Sequence, residues 1–296
     1  MKKIIRNGLA ALLVGSLLFV SCSDDDDNNG VDVDTLTLNI DGLEDLGADY
    51  MYEGWIIVNG SPVSTGVFSV NADGELSQTD FAIEESILDA ATTFVLSIEP
   101  TNDSDPAPAD TKILVGDFSN DSASLTTGIV GDFSGATGSF FLRTPTDETG
   151  TNNGNDENGI WFGIPGAPPA AGLDLPTLPA GWVYEGWVVA EEGPLSTGTF
   201  TEFDAVDSGN PFSGTEANAG PPVPGEDFFL NAPDGFTFPL DVRGKTVVIS
   251  VEPSPDNSPA PFTLKPLAGA AGTETAPTTH DLGLNLGSLP TGSVTR

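Results

Sequence analysis

Basic residues, cysteine and histidine are all scarce in this sequence. Nine Lys and Arg stand against 44 Asp and Glu, with one cysteine, Cys22, and one histidine, His280. Each shortage removes a class of function. So few cations leave a surface that repels nucleic acid and anionic lipid head groups, so no nucleic-acid partner is expected. One cysteine and one histidine provide no Cys/His pair and argue against a Ser/His/Asp triad. No Gly-rich phosphate loop follows a strand. A carboxylate pair for glycosidic cleavage is available by number alone, with no motif around it. The expectation is a protein that is not an enzyme and carries no cofactor. The apolar run Gly8–Val20 has only 13 residues, short of the roughly 20 that span a bilayer.

That run has a different use. Lys2, Lys3 and Arg6 precede it and the small Ser21 follows, the plan of a secretory signal over residues 1–21. Leu18-Phe19-Val20-Ser21-Cys22 resembles the processing box of bacterial lipoproteins, with Phe19 where Leu is usual. The resemblance implies that Cys22 is the lipidation site. Several acyl chains on its thiol and amine would give a stable membrane anchor where one chain would not. Asp24 to Asp27 follow at once, and such a run reads as a solvated tether, here residues 22–34. Cys-Ser-Asp-Asp-Asp-Asp is also similar to the surface-export signal of Bacteroidetes-type lipoproteins. It implies a chain anchored to the outer membrane and facing outward, with display on the inner leaflet as the alternative. The competing reading is a soluble secreted protein with one odd cysteine. Cleavage after Ser21 removes three bases and no acid, taking the formal charge from −35 to −38.

Gly (35) and Pro (24) are abundant and only 18% of residues are charged, a composition of turns rather than long helices. Within it a repeat stands out. Tyr52-Glu53-Gly54-Trp55 returns as Tyr184-Glu185-Gly186-Trp187, and Pro62-Val63-Ser64-Thr65-Gly66-Val67-Phe68 returns as Pro194-Leu195-Ser196-Thr197-Gly198-Thr199-Phe200, both at offset 132. Val95 to Pro100 returns as Val248 to Pro253 at offset 153, as do Lys112 in Lys265 and Gly116 in Gly269. Copies this long are domains rather than solenoid units. Apolar residues alternate along Tyr52–Val58 and Phe94–Glu99, the period of strands. Asn59-Gly60-Ser61-Pro62 reads as a hairpin turn. Gly138–Arg143 and Gly159–Gly163 read as further strands, and Asp80–Ala90 as a short helix. The expected fold is all-β: two tandem Ig-like β-sandwich domains related by the repeat, at 35–146 and 160–296, joined by a linker at 147–159.

The two offsets differ by 21, so the second copy has 21 extra residues between Phe200 and Glu252. They fall in a stretch holding Phe212, Phe228, Phe229, Phe236 and Phe238. These aromatics either cover the core or touch a ligand, and packing is their commoner use.

The matched residues have structural readings. Trp55 and Trp187 are expected to fill the two cores, and Gly66 and Gly198 to allow a strand bend. Glu99 and Glu252 end their strands, each 13 residues before Lys112 and Lys265, which raises a repeated Glu–Lys ion pair against two solvated glutamates. Asn152 to Asn158 cluster hard oxygens suited to calcium but lack EF-hand spacing, and such clusters are usually turns.

Leu178-Pro179-Ala180-Gly181, Tyr184, Trp187, Pro194 to Gly198, and Val248 to Pro253 together resemble the extracytoplasmic C-terminal domain of anti-sigma-K factors. The first copy matches less well before Tyr52. The resemblance covers most of residues 35–145 and 160–275. It implies a β-sandwich that senses or binds outside the cytoplasm. The family's plan adds a membrane helix and a sigma-binding segment, and this sequence has no second hydrophobic span and no His/Cys cluster, so only the outer module carries over. Two functions follow as expectations: binding of an extracellular ligand or envelope protein at the outer membrane, or service as an accessory to a separate transmembrane anti-sigma factor.

Overall fold

Alternation along Tyr52–Val58 produces the strand it predicts. Tyr52, Gly54 and Ile56 face the core, while Glu53, Trp55 and Ile57 face away. The chain, seen in a computed structural model, is described over residues 31–147, 154–214, 220–255 and 258–296. Residues 32–296 cluster as one unit. The first copy runs β1 (Val33–Asp41), β2 (Tyr50–Val58), β3 (Ser61–Phe68), β4 (Asp80–Glu84), α1 (Glu85–Asp89), β5 (Ala91–Pro100), β6 (Lys112–Asp117), β7 (Ser122–Leu125) and β8 (Thr137–Leu142). The second runs β9 (Gly159–Trp161), β10 (Gly163–Ile164), β11 (Ala170–Ala171), β12 (Leu173–Asp174), β13 (Trp182–Ala190), β14 (Gly193–Phe200), β15 (Gly225–Asp227), β16 (Thr246–Pro253), β17 (Leu267–Ala270), β18 (Thr279–Leu284) and β19 (Thr291–Thr295). The fold is all-β with packed sheets. No helix among the described residues is long and apolar enough to cross a membrane.

The expected helix at 80–90 is mostly replaced. Phe81 and Ile83 alternate with the exposed Asp80, Ala82 and Glu84, so Asp80–Glu84 pairs with β1 and only Glu85–Asp89 is helical, burying Leu88. The hairpins of the two copies agree in detail. In β2–β3, Gly54 lies opposite Gly66 and Trp55 opposite Ser64; in β13–β14, Gly186 lies opposite Gly198 and Trp187 opposite Ser196. The register slips at the same point in both, leaving Thr65 and Thr197 as the extra residue of a β-bulge. Gly66 (φ 124°) and Gly198 (φ 119°) follow that residue in a backbone region side chains avoid. A Cβ would also meet Phe81 at 2.9 Å or Asp207 at 2.8 Å.

Copy boundaries drawn along the sequence are crossed by two strands. β8 belongs to the first copy but pairs with β18, β9 and β12 of the second. β19 belongs to the second copy but lies between β1 and β7 of the first, in the sheet β4-β1-β19-β7. Each opens with the same three residues, Thr137-Gly138-Ser139 and Thr291-Gly292-Ser293. Gly138 lies opposite Leu173 and Leu282, and Gly292 opposite Ile40 and Leu125. A Cβ at Gly138 would sit 2.9 to 3.1 Å from three leucine side chains, and one at Gly292 would sit 2.4 Å from the Asn39 carbonyl. Each copy therefore lends its last strand to the other. One continuous apolar core results, holding Leu36, Tyr52 and Phe94 together with Phe162, Tyr184 and Ile249.

The second copy's sheets run together as a nine-stranded sheet because β17 pairs with β18, whereas β6 and β7 of the first form no ladder and an isolated Val115–Thr126 bridge follows β7.

Candidate functional site

The repeated residues assemble the same polar chain twice. Trp55 Nε1 donates to Ser97 Oγ at 2.8 Å, Ser97 Oγ donates to Glu99 Oε1, and Glu99 Oε1 also accepts Ala109 N–H at 2.8 Å. Trp187 Nε1 donates to Ser250 Oγ at 2.8 Å, Ser250 Oγ donates to Glu252 Oε1, and Phe262 N–H completes the chain at 2.9 Å. Trp55, Ser97 and Glu99 share the sheet face away from the apolar core and are buried, as are their counterparts. The two tryptophans are buried, as sequence alone implied, but lie outside the main apolar cluster. Alternation puts Tyr52 and Tyr184 in that cluster instead, stacked on Phe68 and Phe200, with their hydroxyls donating to the Glu44 and Pro176 carbonyls. Burial raises both phenol pKa values. Burial also raises that of Glu99, against the pull of its Ser97 and Ala109 hydrogen bonds.

The Glu–Lys ion pair is not how the first copy is tied. Lys112 Nζ donates to the Ala109 carbonyl at 2.7 Å while Glu99 holds the Ala109 N–H, so the two side chains clasp one residue from opposite sides. In the second copy burial lowers the Lys265 pKa, and the charges of Glu44 and Glu252 oppose that shift. Glu44 comes from the first copy, so Lys265 stands at the junction of the two.

That junction holds a cavity of about 590 Å³, within the range of small-molecule sites. Repeat-related positions wall it from both sides: Pro100 and Pro253, Ala109 and Phe262. Tyr50 and Leu46 add apolar wall, and Glu44, Asp45, Asp110 and Glu252 add carboxylates. Contacts between copies brace it. Thr263 Oγ1 donates to the Gly42 carbonyl at 2.7 Å, and a Cβ at Gly181 would lie 3.0 Å from the Asp110–Thr111 peptide.

A second polar centre was missed by sequence reasoning. Glu226 and Asp227 are fully buried in β15. Glu226 Oε1 accepts Ser213 Oγ and Oε2 accepts Phe212 N–H at 3.2 Å. Asp227 accepts Trp161 Nε1 at 2.9 Å on one oxygen, and Thr146 N–H and Oγ1 at 2.8 and 2.5 Å on the other. Asp207 accepts Gly225 N–H at 2.8 Å. Burial pushes Asp207 and Asp227 up to about 7 and Glu226 to about 8. These carboxyls pin the extra segment of the second copy to the sheet. Its phenylalanines fold back, with Phe212, Phe228 and Phe238 within 5.9 Å of one another, centroid to centroid. No cluster of three or more His, Cys, Asp or Glu among the described residues is arranged to hold a metal. Cys22, and Asn152 and Asn153 of the calcium reading, lie outside those residues.

Residues 29–113 match the family model described as anti-sigma-K factor rskA, C-terminal. The match lies on the first copy, although the motif resemblance was fuller in the second. No curated protein and no solved structure matches the chain.

Proposed function

We propose that the protein is a non-catalytic interaction module of the cell envelope. Its anti-sigma-K-like copies bind a ligand or partner protein in the cavity between them, and Cys22 anchors the chain by lipid to the outer membrane, facing outward. The observation that carries the binding role is the position of the cavity, walled by the same repeat positions from each copy, so that duplication itself builds the site. The strongly acidic composition supports an extracytoplasmic, soluble face, and the signal-like start with its Ser21-Cys22 junction supports the anchor. Proximity crosslinking on intact cells tests binding. Ala109→Trp places an aromatic where the second copy already has Phe262, filling the cavity. Loss of specific crosslinked partners is the expected result, and an unchanged pattern sinks the reading. Cys22→Ala should move the protein from the membrane to the soluble fraction; persistent membrane association removes the lipid anchor.

The family match at residues 29–113 favours one further reading, an accessory that passes an envelope signal to a separate transmembrane anti-sigma factor. It predicts that deleting the protein shifts transcription from a promoter dependent on an extracytoplasmic-function sigma factor. No shift under envelope stress excludes it.

A further inference from the structure

Resting on the cavity as the binding site, we propose that its ligand is a small organic cation, an ammonium or guanidinium group on an apolar body. Four carboxylates line the cavity and no Lys, Arg or His is among its lining residues. Lys265 stands near Glu44 and Glu252, so the inner pair is partly balanced from behind the wall. Glu252 is further occupied by Ser250 Oγ and Phe262 N–H. Among the described residues no ion pair involves the exposed Asp45 or Asp110. Both belong to the first copy, which therefore reads the charged head. Phe262 and Pro253 of the second copy receive the body, with Tyr50 and Pro100 opposite.

Three alternatives fit less well. An anion or a neutral polar molecule would sit among uncompensated negative charges. A bare divalent ion needs converging oxygens, and these carboxylates form no ligating group. An extended peptide adding to a strand needs backbone donors along the wall, and Pro100, Pro253 and Pro255 have none. The volume is that of a small molecule.

Calorimetry on the full chain with 2-phenylethylammonium, hexylammonium and butylguanidinium tests this, with 2-phenylethanol and phenylacetate as neutral and anionic controls. At least one cation should bind saturably, at least tenfold more tightly than 2-phenylethanol, and more weakly as salt rises. Asp45→Asn with Asp110→Asn should cost that cation at least tenfold while leaving the melting midpoint unchanged, and Ala109→Trp should abolish binding. If 2-phenylethanol or phenylacetate binds as tightly and Ala109→Trp blocks it, the cationic ligand is wrong and the cavity stands. If no cation binds, the proposal fails; an unchanged crosslinking pattern in Ala109→Trp then removes the binding site as well.

Discussion

The two copies agree in the hairpin and the strand beside it, and diverge at the outer edge and at the first strand. Both have the bulged hairpin, the Trp–Ser–Glu chain and the tyrosine bonded to a carbonyl eight residues back. They differ at the outer edge. The first copy crosses from β3 to β4 by a short Asn71–Glu75 turn, whereas the second makes the longer excursion pinned by Asp207, Glu226 and Asp227. They differ again at the first strand. β1 is continuous, but its place in the second copy is divided between β9 and β12, with the β10–β11 hairpin set between them. Duplicated sequence survives along the bulged hairpin and the strand beside it, β5 or β16, and varies in the loops and at the first strand. Ala109 and Phe262 are such a pair, equal in backbone role and different in what they offer the cavity.

The strongest way to break the comparison is to remove Thr291–Arg296. The deleted residues belong to the second copy in sequence, yet the first copy should collapse, because β1 and β7 lose the strand between them and Arg296 no longer caps the Leu88 and Ala91 carbonyls. A loss on the order of 5 kcal/mol or more is expected, with hydrogen exchange in 33–41 and 122–125 rising before that of 182–200. Uniform loss across both copies would mean that they do not fold separately even in part.

Acidity should separate the copies next. Asp207, Glu226 and Asp227 have folded-state pKa values raised above those of free carboxyls, so the folded chain binds more protons than the unfolded one between about pH 4 and 8. Their stabilisation is full below the unfolded values and is lost as pH rises through 7 to 8. The melting temperature should fall from pH 5 to pH 9, by the equivalent of several kcal/mol, and Glu226→Gln should flatten that fall. A flat profile in the unaltered chain would show that the carboxyls carry no such protons.

Smaller effects sharpen the likeness. Gly54→Ala and Gly186→Ala each push a methyl to 2.4 Å from a threonine hydroxyl, and in the second copy also to 2.4 Å from the Phe162 ring, against 3.1 Å from Phe94 in the first. Losses of about 1–3 kcal/mol are expected, larger for Gly186; the reverse order in chemical denaturation would show that the second copy yields more easily. Ser97→Ala and Ser250→Ala each strand a buried indole N–H and take one donor from a carboxyl that keeps its backbone amide, at about 1–3 kcal/mol, and the two losses should be nearly equal. Unequal losses would mean that the two polar chains are not energetically equivalent.

Much of this was readable in advance, for a physical reason. Period-two alternation and Asn59-Gly60 specify a hairpin from neighbours in the chain, so β2, β3, β5 and their copies could be placed from sequence. Ser-Thr-Gly marks a strand bend at Gly66 and Gly198, but the extra residue at Thr65 and Thr197 shows only against the partner strand. The exchange of β8 and β19 was hidden for the same reason: Thr-Gly-Ser marks both strands, but nothing local says which copy each will join. Asp207, Glu226 and Asp227 were passed over because acids in a turn-rich, acidic stretch look solvated. The one available signal was Glu226-Asp227 directly before Phe228-Phe229. Glu99 and Lys112 were close in fact as in expectation, but a backbone amide, invisible as a motif, stands between them.

The borrowed last strand also sets an order of events. β1 is among the first of these strands to be synthesised, yet its place beside β19 stays empty until residues 291–295 exist. At ordinary translation rates that interval is on the order of tens of seconds, and pairings this distant along the chain form slowly. A nascent chain of this kind cannot close the sheet around β1 until residues 291–295 arrive.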